Sequence, residues 1–430
     1  MTMVSVTTIK KDDFVTIPKT EMKGIVTRID KYTKDIYLNI LNENGQSLSY
    51  KVLVQDTINK VRKTKLLSSK FNKHLMNLYL HNIGWIGGHM GSDPEMFVVN
   101  KKTNEVIPAF NFLGSSKNPD KIKNDINEYG DGNPLFWDGF QAEFNTADTA
   151  CLAWVVDSVH AGLKTLSQKA KKYDKDARLT IQPTLDIPID MLMESKPEHV
   201  DFGCMPSLNV YGMSGFKANG RDVPFRSAGG HIHFGIVDHL KNDKTLAEKF
   251  VKDLDKVLGV ACVSLFDKYD DSKRRVLYGL AGEYRLPKHG LEYRTLSCAW
   301  MAHPIIMNIV FDLSRKVIGA SNSGLMKYWD ATEKETIECI NNCDIELARK
   351  IIDRNSKIFK AMLDSCYYDR VKVDVIYKTF MNGMGILIEN PDDVEGNWLS
   401  GNYRSHSDGQ GCNVKTIHNL ANYQKVIDMK

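Results

Sequence analysis

Five short segments carry polar side chains at positions i and i+2: Asp93 and Glu95 in GSDPEMFVV, Gln141 and Glu143 in DGFQAEFN, His231 and His233 in GGHIHFG, Glu283 and Arg285 in AGEYRLP, and Glu292 and Arg294 in GLEYRTLS. In an extended strand, residues two apart project from the same face. The positions between and beside them are apolar, among them Met96, Val98, Phe144, Ile232, Phe234, Leu291 and Tyr293. That is the pattern of an antiparallel sheet packed on a core by one face and presenting carboxylates, imidazoles and guanidiniums on the other. Charges gathered this way and shielded from water need compensation. Divalent cations and a polyphosphate supply it, with carboxylate and imidazole as metal ligands and arginine as the phosphate partner. A mixed oxygen and nitrogen set favours Mg²⁺ or Mn²⁺ over a thiolate-seeking metal.

Taken singly, each pair has a plainer explanation. Asp93-Pro94 can simply open a strand after a glycine-rich turn, and an ExR strand is ordinarily solvated surface. His231 and His233 say more, because HxH is a metal-ligand spacing and core strands seldom carry paired imidazoles. The weight lies in the recurrence of one arrangement between Asp93 and Arg294. The chain has no GxxxxGK[ST] loop, HExxH helix or GxSxG elbow, which excludes the phosphate, zinc and serine chemistry of those motifs.

The elements needed to position these residues are legible in outline. Residues 71–300 alternate strand-like runs with Gly, Pro and Asn clusters, and amphipathic helices are predicted near Ala150–Lys171 and Lys244–Leu258. After Trp300 the pattern turns helical, with a capping box at Thr332-x-x-Glu335 and apolar periodicity through Ile345, Ala348, Ile352, Ile358 and Phe359. The fold class is α+β, with a helical layer as its C-terminal third. Residues 14–56 predict a small β unit in which Ile36–Leu41 and Ser47–Val54 flank the hairpin signal Asn44-Gly45. The division expected is a basic β module over 1–70, a main domain over 71–400 with its polar strands in 91–297 and helices in 300–390, and a loop-rich tail over 401–430.

With 430 residues, 42% hydrophobic and 26% charged, the chain reads as a folded globular protein rather than a disordered or coiled-coil one. No stretch approaches the ~20 consecutive apolar residues of a membrane span, and Met1–Phe14 lacks a signal-peptide core, so a cytoplasmic protein without a membrane partner is expected. The eight cysteines show no paired CxxC spacing and are read as reduced thiols. The net charge of +4 is uneven: the first seventy residues hold thirteen Lys and Arg against seven Asp and Glu. Such an excess serves either a solvated face or an anionic partner of the N-terminal module.

The ordered set GxDPE, DGxxxE, GGHIHFG, YGLAGEYR and LEYRTLS, from Gly91 to Ser297, resembles the bacteriophage-encoded COOH.NH2 ligases (amidoligases) related to glutamine synthetase and glutamate–cysteine ligase. The resemblance implies a curved antiparallel sheet of glutamine-synthetase-like type, holding two divalent cations between ATP and an acid substrate, in the host cytoplasm if phage-encoded. Matched motif by motif, Asp93, Glu95, Glu143, His231 and Glu292 are the implied metal ligands, with Asp138 a further carboxylate. His233 is implied toward the nucleotide phosphate, Arg285 and Arg294 at the transferred phosphoryl group, and Arg274 or Arg275 on the approach to it. The implied chemistry phosphorylates a carboxylate with ATP and lets an amine displace phosphate to form an amide. In FGCMPSLNVY, Ser207 stands where the resemblance leads one to expect an acid. Two other readings stay open from the sequence: a phosphotransferase on the same scaffold, and a non-catalytic virion or scaffold protein. The acid and amine are not legible, because specificity resides in loops rather than in these motifs.

Overall fold

The structure is a computed structural model describing residues 9–10, 14–17, 22–29, 36–41, 47–52, 62–63, 86–122, 133–147, 152–201, 207–213, 219–236, 244–288, 290–323, 325–363 and 373–400. The β-branched and aromatic runs of the N-terminal unit become β1 (Phe14–Ile17), β2 (Met22–Ile29), β3 (Ile36–Leu41) and β4 (Ser47–Val52), with β5 (Arg62–Lys63) from the basic stretch. They form an antiparallel sheet in the order β4-β3-β2-β1-β5. Leu41 pairs with Ser47, the register of the expected hairpin, whose turn residues Asn44 and Gly45 lie outside the described residues. So does the tail, 401–430.

The remaining strands follow in chain order: β6 (Ile86–Ser92), β7 (Glu95–Asn100), β8 (Asp120–Ile122), β9 (Asn133–Asp138), β10 (Gln141–Phe144), β11 (Ala177–Thr180), β12 (Thr184–Asp186), β13 (Leu208–Asn209), β14 (Phe225–Ser227), β15 (Ile232–Ile236), β16 (Glu283–Arg285) and β17 (Gly290–Tyr293). Two antiparallel five-stranded sheets result, β11-β7-β10-β9-β8 and β13-β16-β17-β15-β6, beside a β12-β14 ribbon. Strands β6 and β7 are separated only by Asp93-Pro94, so one run of chain leaves the second sheet and enters the first. Proline has no N–H to give a ladder, which makes it apt for the point where pairing changes partners. Around it Glu95 N–H donates to Gly229 O at 2.8 Å and Thr146 N–H to Ser92 O at 2.8 Å, stitching the junction.

Pleating separates the two faces of the second sheet. One register row aligns Tyr284, Tyr293, Ile232 and Ser92, and the next aligns Arg285, Glu292, His233 and Gly91. The first row's two tyrosines and Ile232 are almost fully buried in the main core. In β7, by contrast, Met96, Phe97, Val98 and Val99 are all buried, so this strand is covered on both faces rather than one.

Helix α1 (Leu152–Tyr173) and helix α2 (Lys244–Leu254) fall where amphipathic periodicity predicts them, but the second stops four residues early. The chain passes into a π-helical turn, Asp255–Gly259, and then α3 (Val260–Phe266). The segment VLGVACVSLF is buried on all sides, so it has no polar face to give a helical period. Beyond β17 every regular element among the described residues is helical, beginning with a 3-10 turn, Cys298–Ala302, and then α4 (Pro304–Ser323). Thr332 and Glu335 form the predicted reciprocal capping box, and Ala348, Ile352, Ile358 and Phe359 point into the core.

Candidate active site

The charged rows of the two sheets meet at the Asp93-Pro94 junction and form two clusters. Asp93, His231 and Glu292 each offer a ligand atom within 4.8 Å of the others, and so do Glu95, Asp138 and Glu143. The first draws on the β6–β7 junction, the entry to β15 and β17, and the second on β7, β9 and β10. Sequence spacing placed the members on common faces, and the pairing of distant strands brings them together.

In the first cluster, His231 Nδ1 lies 3.2 Å from Asp93 Oδ1 and 3.5 Å from Glu292 Oε1, and His233 Nε2 lies 3.0 Å from Asp93 Oδ1. Arg285 Nη2 and Arg294 Nη1 both reach Glu292 Oε1 at 2.5 Å. Burial works against charge on Asp93, but His233 and His231 hold its carboxyl well below the usual range. Burial likewise opposes charge on Glu292, and the His231 ring and the Arg294 guanidinium outweigh it. Gly229 makes room for this arrangement, since a Cβ there would stand 2.4 Å from His231 Nε2.

Among the described residues the second cluster has no ion pair of this kind, and Arg285 and Arg294 act on its acids only from a distance. Glu95 and Glu143 are direct cross-strand partners between β7 and β10, and Asp138 pairs with Gln141 on the β9 side of β10, two residues before Glu143. Like charges directly opposite each other repel. Burial, with the Glu95 charge beside it, lifts Asp138 to about 7. Burial and the charges of Asp93, Asp138 and Glu95 push Glu143 well above the usual range. Glu95 Oε2 accepts hydrogen bonds from Gly229 N–H at 2.7 Å and from the Tyr278 hydroxyl, which orients the carboxylate.

The clusters suit divalent cations. His231 Nε2 is buried without a hydrogen bond, and Nδ1 of the same ring faces Asp93 Oδ1 and Glu292 Oε1 at 3.2 and 3.5 Å. Buried polar atoms are normally satisfied, so a spare imidazole nitrogen beside two carboxylates is a donor set that a cation can complete. One buried and two half-buried carboxylates offering oxygen suit a hard cation in the same way.

Arg285 keeps 29% of its side chain exposed whereas Arg294 has none, so Arg285 is the guanidinium that a solvent-borne anion can meet. Arg274 and Arg275, expected on the approach to the phosphoryl group, are both buried and turned to main-chain carbonyls. Arg274 is fully buried and donates to the carbonyls of Ala228 (3.2 Å), Thr295 (2.7 Å), Arg294 (3.3 Å) and Leu296 (2.6 Å). Arg275 is paired with Asp270 at 2.6 Å and donates to the carbonyls of Thr295 and Gly279. Glu283 is turned to the Gly279 N–H at 2.8 Å, and Gln141 donates to Ser227 O at 2.8 Å. Both shape the backbone around the clusters.

Sequence reasoning missed Tyr278. Its ring lies between the Arg274 and Arg294 guanidiniums, 5.0 and 5.5 Å from the ring centre, while its hydroxyl holds Glu95. The residue opens the YGLAGEYR motif, but nothing in an aromatic at that position announces a bond to a carboxylate 183 residues away.

Residues 212–398 match the family model described as Phage phiEco32-like COOH.NH2 ligase-type 2. This match supports the amidoligase family. It begins within the polar strands, covers β14 to β17 and the helical layer, and leaves Asp93, Glu95, Asp138 and Glu143 upstream. No curated protein matches the chain. A family named for joining carboxyl and amino groups is a ligase family, and no helix among the described residues is long and apolar enough to cross a membrane.

Proposed function

We propose that the protein is an ATP-dependent carboxylate–amine ligase on a glutamine-synthetase-like scaffold, forming an amide through an acyl phosphate with two divalent cations, Mg²⁺ or Mn²⁺. The observation that carries this reading is the pair of adjacent ligand clusters, one balanced by arginine and histidine and the other made of three acids. Asp93, His231 and Glu292 would hold one cation, and Glu95, Asp138 and Glu143 the other. Bound there, the cations neutralise phosphate charge and polarise the transferred group.

The protein's own groups have distinct parts. Arg285, the more exposed guanidinium, meets the phosphate oxygens, with His233 on the same register row. Arg294, fully buried, fixes Glu292 and adds positive charge behind it. A carboxylate oxygen of the acid attacks the γ-phosphorus, the bond to the β–γ bridging oxygen breaks and ADP departs. The amine nitrogen then bonds to the acyl carbon, loses a proton, and phosphate leaves with its electron pair. Positioning and fixed charge account for most catalysis in such transfers.

Trapping with hydroxylamine tests this directly. Incubated with ATP, Mg²⁺ and a panel of carboxylic acids, the protein is expected to release ADP and to yield a hydroxamate with the acid it accepts. ADP release that depends on neither acid nor divalent cation would overturn the reading.

A further inference from the structure

The catalytic reading above uses one side of β17. The other side meets the π-helical turn Asp255–Gly259, and Asp255 is fully buried there. Tyr293, which alternates with Glu292 and Arg294 and is itself fully buried, donates its hydroxyl to Asp255 Oδ1 at 2.6 Å. Thr295 Oγ1 reaches the same oxygen at 3.4 Å and also bonds Leu280 O at 3.1 Å, tying in the loop before β16. The path to Asp255 is kept open by Gly259, where a Cβ would stand 2.8 Å from the Tyr293 hydroxyl oxygen.

A buried carboxylate in an apolar helical layer is costly unless hydrogen bonds repay it. Here the shortest bond comes from Tyr293, on the strand whose opposite face carries Glu292, with Tyr211 and the Gly282 main chain also serving Asp255, and π turns recur at functional sites. Neighbouring residues of a strand move together, so a hold on Tyr293 is a hold on Glu292, and through Glu292 on the arginines and His231 that approach it.

We propose that Asp255 is a positioning residue for the candidate active site, fastening β17 from its buried side through Tyr293 so that Glu292 and Arg294 keep their places beside His231. The inference rests on the functional reading for its purpose, but its geometry can be tested apart from that reading. The imidazole signals of His231 in the cation-free protein, assigned by loss in His231→Gln, report the first cluster without any ligand. Mn²⁺ affinity by titration calorimetry is the second readout.

Asp255→Ala and Tyr293→Phe are each expected to shift the His231 signals and to weaken Mn²⁺ binding about tenfold, the usual cost of losing a group that orients a ligand. Asp255→Asn, which keeps an oxygen for the Tyr293 hydroxyl, should recover most of both. The double variant should be no worse than the worse single one, because both remove the same link. A folded Asp255→Ala protein with unchanged signals and affinity, or additive losses in the double variant, would overturn the proposal. Should Asp255→Ala fail to fold, Tyr293→Phe, which removes a single oxygen, decides the matter alone. A wild-type protein that binds no Mn²⁺ would defeat the proposed function, leaving the His231 signals to decide this inference.

Discussion

The two ligand clusters are neighbours built from the same residue types, yet they solve their electrostatics in opposite ways. Around Asp93, His231 and Glu292 the protein supplies its own positive charge, from Arg285, Arg294 and His233, and the carboxyls stay ionised. Around Glu95, Asp138 and Glu143 it supplies none at bonding distance among the described contacts, and Asp138 and Glu143 are driven toward the protonated form. The first cluster is held together by the fold. In the second, Glu95 is oriented by Gly229 and Tyr278, but the charge state of Asp138 and Glu143 depends on the solution.

The comparison is broken most severely at Glu292, where two arginines and His231 converge. Glu292→Gln and Arg294→Ala are each expected to lower ADP release by about 10²-fold or more, the ~3 kcal/mol scale of losing fixed charge that a charged transition state relies on. Raising Mn²⁺ should partly restore Glu292→Gln, which loses a metal-neutralising charge, and should leave Arg294→Ala unrestored. Equal, metal-insensitive losses would erase the distinction in their roles. Next in size, Glu143→Ala and His231→Ala should each weaken divalent-cation binding by roughly 10- to 100-fold while the protein stays folded. Calorimetric titration with Mn²⁺ showing wild-type affinity in both variants would dissolve the two-cluster assignment.

A smaller effect concerns pH. Asp138 has its folded value raised to about 7 from an ordinary 3.8, so it contributes stability that is fully present below about 3.8 and lost as pH rises through about 7. The cation-free protein should therefore melt lower at pH 8 than at pH 6. Added Mg²⁺ should raise the melting temperature more at pH 8, by about 2 °C or more, and Asp138→Asn should flatten the difference. A thermal scan showing higher stability of the cation-free protein at pH 8 would reverse the sign and refute the account. Smallest of all, removal of residues 1–70, whose described strands pair only with one another in the order β4-β3-β2-β1-β5, should leave Mn²⁺ affinity within about twofold of wild type.

How much of this was legible from sequence varies with the range of the interaction that decides it. The faces of the polar strands followed from two-residue alternation, and the capping box and the β3–β4 hairpin from local chemistry, so all were readable. That Glu95 and Glu143 stand directly opposite each other depends on strand register, which alternation alone leaves undetermined by any even number of residues. The carbonyl bonds of Arg274 and Arg275 were not readable, because an arginine that satisfies buried carbonyls and one that meets phosphate look alike in sequence. Tyr278 and Asp255 were invisible for a related reason: each acts through a hydroxyl–carboxylate bond between segments far apart in the chain. The helix α3 was missed because a segment buried on every side shows no periodicity.

The Asp93-Pro94-Glu95 junction sends one carboxylate to each cluster, with a single buried proline between them. Residues two apart in extended chain are separated by about 6.6 Å along it, and proline removes one of the dihedral freedoms through which that span could stretch or fold. The spacing of the two clusters is thus written into main-chain covalent geometry rather than into side-chain packing. It acts as a ruler: repacking the surrounding loops can change which acid or amine is admitted, but the interval between the two sites stays the same for every ligand.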